Sequence, residues 1–112
     1  MATVTPALLG QRRAGLTGSP TVIFTVPEGQ IYASRSIMYC NTSSDRRLIR
    51  ACKVPSLAVF GEMRAIHWDA PVDPGWGVVD DSVHVFGAGA SLQVSADVAD
   101  AITVTVDGSV IT

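Results

Sequence analysis

Ile102-Thr103-Val104-Thr105-Val106, followed by Asp107-Gly108 and Ser109-Val110-Ile111, is the stretch on which the fold turns. Apolar and hydroxyl residues alternate with period two, as in a strand with one buried face. Asp107-Gly108 is a two-residue turn signal, so the spacing predicts a hairpin whose return strand starts at Ser109. Working outward, Leu92, Val94 and Ala96 alternate with Ser91, Gln93 and Ser95. Val83 and Val85 flank His84 ahead of the breaker Gly87-Ala88-Gly89. Thr21 to Val26 is a β-branched and aromatic run closed by Pro27-Glu28-Gly29, where proline presets the turn and glycine eases its exit.

The middle of the chain continues the pattern. Gln30 to Cys40 is long enough for one strand, with Ile31, Ala33, Ile37 and Tyr39 expected on one face. Arg35 falls in the same phase, which calls for a bulge or an open edge there. Asn41 to Arg47 reads as a turn, Leu48 to Val54 and Met63 to Trp68 as strands, and Pro71 to Gly77 as a loop. Strands recurring at roughly 8–12 residues predict an all-β chain, specifically an antiparallel β-sandwich of jelly-roll type. Residues 1–19 lack strand alternation apart from a short helical possibility around Pro6 to Arg13, and carry Leu8, Leu9, Leu16 and the pair Arg12-Arg13. They are expected to form an extended N-terminal arm, with the sandwich domain spanning 20–112.

One domain suits 112 residues, and 47% apolar content can supply its core. Only 16% of residues are charged, low for a solitary monomer, which points to surface spent on partners. The charge is also polarised. Residues 1–64 hold all eight basic side chains with Glu28, Asp45 and Glu62, whereas residues 65–112 hold seven aspartates and no Lys or Arg. Such a chain can attract copies of itself or an acidic scaffold, unless the strand order remixes the charges. No apolar run reaches membrane-span length and no secretory signal is visible, so no membrane partner is expected. Cys40 and Cys52 are expected as free, partly buried thiols, and the Asn41-Thr42-Ser43 glycosylation pattern is discounted.

Catalytic patterns are mostly absent. His67 and His84 lie at no metal-ligand spacing from each other or from a cysteine, so no metal and no cofactor are expected. His67-Trp68-Asp69 are sequential, which points neighbouring side chains to opposite faces. The same holds for Asp80-Asp81, which disfavours a paired acid and base. A calcium site from Asp69, Asp73, Asp80 and Asp81 lacks the EF-hand loop. Arg46, Arg47 and Arg50 form a basic turn without aromatic partners, too small for a nucleic-acid site. Trp68 and Trp76 bracket the proline loop and are expected to cap the core or an interface. These features predict a protein that is not an enzyme.

Thr21-Val22-Ile23-Phe24-Thr25-Val26-Pro27-Glu28-Gly29, followed by Ser36-Ile37-Met38-Tyr39-Cys40-Asn41-Thr42-Ser43, resembles a group of small tailed-bacteriophage virion proteins. Ile66 to Val72, Gly89 to Val94 and Ala101 to Gly108 fall in that group's order, as does the lead-in Leu16 to Ser19. The chain departs from the pattern at Val54 to Glu62. The resemblance implies a β-sandwich without catalytic residues in a virion assembled in the host bacterial cytoplasm. A capsid decoration or stabilising protein on the major capsid protein lattice is the expectation, as a homo-oligomer with a trimer favoured. A neck or tail accessory protein is the alternative. A carbohydrate-binding adhesion module is the third reading, and it would need Trp68, Trp76 and Tyr32 on one platform. Interaction residues are expected at Leu8, Leu9, Arg12, Arg13, Leu16, Arg46, Arg47, Trp68 and Trp76, with the arm serving docking and not folding.

Overall fold

The computed structural model describes residues 2–112; Met1, the first residue of the expected arm, lies outside them. The strands are β1 (Val4–Arg13), β2 (Gly15–Leu16), β3 (Thr21–Thr25), β4 (Ile31–Asn41), β5 (Arg47–Val54), β6 (Ala65–Val72), β7 (Gly77–Asp80), β8 (His84–Phe86), β9 (Ser91–Ala96) and β10 (Ile102–Ile111). A single 3-10 turn, Glu62–Arg64, precedes β6. One sheet runs β1-β10-β4, with β8 and β7 end to end along the far side of β4. The other places β3 and β2 end to end along β9, followed by β5 and β6. Every pairing is antiparallel except the short β2–β9 contact. The alternation read from the sequence does its work here. Ile37, Tyr39, Val104 and Val106 of the first sheet share one core with Ile49, Ala51, Leu92 and Val94 of the second. Among the described residues, no helix is long and apolar enough to cross a membrane.

The expected hairpin at Asp107-Gly108 is not a turn. β10 runs unbroken from Ile102 to Ile111 between β1 and β4, and the Asp-Gly step sits where both neighbours slip register. On one side Leu8 pairs with Asp107 and Gly10 with Val106, leaving Leu9 unmatched. On the other, Ser36 pairs with Asp107 and Ser34 with Gly108, leaving Arg35 unmatched. The bulge that Arg35 called for is therefore present, and it reverses the phase of the first half of β4. Ser34 is buried ahead of the bulge, and Ile37 and Tyr39 after it, while Ile31 is exposed. Tyr32 turns toward the core, its ring 5.2 Å from that of Phe24.

The N-terminal arm is likewise corrected: Val4–Arg13 and Gly15–Leu16 are strands of the two sheets. β1 pairs with β10 over its whole length, and Ala14 donates its N–H to the Ile102 carbonyl as the chain crosses to the second sheet. Leu9 and Ala14 are buried in the core. The pattern was hard to see because an edge strand buries little and the bulge at Leu9 breaks the phase. Pro6 is tolerated there because an edge strand can spare one ladder N–H.

Asn41 has no exposed amide to glycosylate. It is fully buried; its Nδ2 donates to the Asp45 and Val72 carbonyls, and its Oδ1 accepts from Ser43 N–H and hydroxyl. Cys40 and Cys52 are both free thiols, on β4 and β5 in opposite sheets. Cys52 is buried, and burial pushes its thiol pKa up. Cys40, half-buried, is expected to react with a thiol reagent well before Cys52 in the native protein. A Cys40→Ala, Cys52→Ala variant is expected to fold with a loss of about 1–3 kcal/mol, read by denaturant titration. Equal reactivity of the two thiols would contradict the burial of Cys52.

Candidate functional site

The densest polar arrangement lies where the two sheets face each other beside β6. Asp80, the last residue of β7, and His84, the first of β8, share the inward phase with Phe86. His67 of β6 reaches across from the other sheet. Asp80 Oδ2 lies 3.0 Å from Nε2 of His67 and 3.0 Å from Nε2 of His84. Ser82 N–H donates to Oδ1 of the same carboxylate at 2.9 Å. With a single acceptor oxygen between them, both imidazoles serve as Nε2–H donors. The Tyr39 ring stands edge-on to His67 at 5.5 Å, and among the described residues its buried hydroxyl has no hydrogen-bond partner. Burial, and then the neighbouring Asp80 charge, push that hydroxyl's pKa up.

This clasp ties the sheets together electrostatically. Burial alone would raise the Asp80 pKa, but the hydrogen bonds from Ser82, His84 and His67 outweigh it and hold the carboxyl at about 2. A carboxyl depressed in the folded state stabilises above its unfolded pKa and loses that contribution as pH falls. Asp80→Asn is therefore expected to cost on the order of 1–2 kcal/mol at neutral pH. The difference from wild type should shrink between about pH 4 and pH 2, followed by thermal melts across that range. A pH-independent difference would mean that the carboxylate charge contributes nothing. Among the described residues, no group of three His, Cys, Asp or Glu side chains is arranged to hold a metal ion.

The sequence did not reveal this cluster, since Val83 and Val85 were read only as apolar residues alternating with His84. They are exposed, and His84 points inward two positions before the fully buried Phe86. The one available signal was that shared phase of His84 and Phe86.

The expected interaction residues scatter. Leu9 is core, while Leu8 and Leu16 are exposed. Arg12 donates to the Val22 carbonyl and Arg13 to that of Asp100, so both fasten β1 to its own domain. Arg46 pairs with Asp73, and Arg47 with Asp45. Trp68 lies 4.2 Å beneath the Arg50 guanidinium and 5.9 Å from the Phe60 ring. Arg50 in turn binds Asp69, which takes a left-handed backbone (φ 54) where β6 slips register against β5. Only Trp76 is an open tryptophan, 70% exposed. Pairs such as Arg46–Asp73 and Arg50–Asp69 join the basic and acidic halves of the sequence, so part of the polarity is neutralised within the chain.

Sequence reading did not single out several other exposed apolar residues as contact candidates. Leu57, Val59 and Met63 are exposed on the segment joining β5 to β6, as are Val78 and Val79 of β7, Val83 in the kink after β7, and Val85 of β8. Beside them, Lys53, Pro55, Met63, Arg64, Ile66 and His84 border a groove of about 510 Å³. Comparison with protein-family models, curated proteins and solved structures yields no match.

Proposed function

We propose that this protein is a structural, non-enzymatic component of a bacteriophage virion, a capsid decoration or stabilising protein bound to the major capsid lattice. The observation that carries the reading is the strand order. Counting β2/β3 and β7/β8 as single positions, each sheet is four strands wide, and the orders β1-β10-β4-β7/β8 and β2/β3-β9-β5-β6 support reading the fold as an eight-position jelly roll. That arrangement recurs in viral capsid and lectin domains. The exposed apolar side chains on the β5–β6 segment and at Val79, Val83 and Val85 give further support as contact points for a partner. With β1 folded into its sheet, these residues and Trp76 take over the docking role expected of the arm.

The carbohydrate-binding reading loses its platform. Tyr32 packs against Phe24, Trp68 is covered by Arg50, and Trp76 stands apart on the loop before β7. The virion reading is tested by quantitative mass spectrometry of purified particles. Hundreds of copies per particle are expected for a head protein. About a dozen or fewer would move the protein to the neck or tail, and none would overturn the structural reading.

A further inference from the structure

We propose that the β6/β7–β8 side of the sandwich is a two-fold self-association surface, in which the Asp81–Val83 kink of each copy seats in the groove of the other. The kink is an exposed, amphipathic segment. It interrupts the edge strand between β7 and β8, and Asp81, Ser82 and Val83 are all exposed there. The groove is its complement. Its apolar wall comes from Pro55, Met63 and Ile66, and its cations from Lys53 and Arg64. Among the described residues, neither Lys53 nor Arg64 enters an ion pair, and neither does Asp81. Arg64 and Asp81 thus leave opposite charges open on two adjoining, apolar-flanked features, while the Lys53 ammonium lies 5.5 Å from the Phe86 ring centroid.

The second copy is the occupant that fits, because the chain itself carries the matching segment. His84 belongs to the groove and directly follows the kink, so kink and groove are neighbours on one side of the molecule. Neighbouring complementary features are satisfied together by a two-fold axis passing between them, which gives an isologous, closed pair. A three-fold ring would need them on well-separated faces. Among the described residues, the outer backbone edges of β6 and β7 are also unpaired, and burial against a partner removes that liability.

Sedimentation equilibrium of the purified protein tests this separately from any placement in a virion. The expected result is a concentration-dependent dimer. Val83→Asp and Met63→Asp, both at exposed positions, should each give a monomer with unchanged far-UV circular dichroism. Asp81→Lys and Arg64→Glu should each weaken the dimer about tenfold, since exposed pairs are individually modest and each reversal acts twice. An equimolar mixture of those two variants should restore wild-type affinity, because the heterodimer regains opposite charges at both contacts. A wild-type chain that stays monomeric at about 200 μM, well above a micromolar Kd, would overturn the proposal. So would a dimer indifferent to these substitutions, or a mixture that fails to recover.

Discussion

Deleting residues 1–17 is expected to abolish folding. The truncation removes β1 and β2, takes Leu9 and Ala14 out of the core, and leaves β10 as an exposed edge along its full length. Loss of Leu9 burial costs about 2–3 kcal/mol. The lost ladder adds roughly 1 kcal/mol net for each hydrogen bond. Set against a total stability of about 5–15 kcal/mol for a domain of this size, the combined loss leaves no stable native state. Near-UV circular dichroism and amide proton dispersion should collapse in the truncated chain. A cooperative melt within a few degrees of the full-length protein would instead restore the picture of an independent arm.

That reversal shows what the sequence could convey. β9 and the first half of β10 were legible because apolar residues alternate there with Ser, Thr or Gln and the apolar phase faces the core. β3 was legible as a β-branched and aromatic run, although a register slip at Ile23 buries Ile23 and Phe24 together. β1 was not, since its single deep anchor, Leu9, sits in a bulge and the rest of the strand is exposed. The first half of β4 was read one residue out of phase, although Arg35 had marked where the slip occurs. The clasp lay further from reach. His67 belongs to one sheet and Asp80 and His84 to the other, and they meet only because both sheets end on the same side of the sandwich. Pairings across a sandwich depend on strand order, which local pattern does not encode. Asn41 is a milder case. Its sequence neighbourhood suggested a surface modification signal, whereas its amide closes the turn between β4 and β5 from inside.

Gly108→Val is expected to be strongly destabilising. A Cβ at Gly108 would run into the Ala33 carbonyl oxygen and come within 2.9 Å of the Ser34 Cα. Both are backbone atoms of the adjacent strand, so no rotamer change relieves the clash. Because β10 is flanked by β1 and β4, it cannot drift outward as an edge strand could. Overpacking of this kind costs about 3 kcal/mol or more when the backbone must move. At about 4–8 °C per kcal/mol, the melting midpoint should fall by roughly 12–24 °C. Gly61→Ala serves as the control, since a Cβ there meets nothing within 4 Å and the backbone is extended (φ −178). A Gly108→Val melt within two or three degrees of wild type would mean that β4 and β10 do not approach so closely at the bulge. Such a result would reach well beyond one residue. The bulge sets which side chains of β4 face inward, and a one-residue slip would carry Ile37 and Tyr39 out of the core. Asp107-Gly108 is therefore a register pin between three strands, and its glycine is required for close approach, not for a turn.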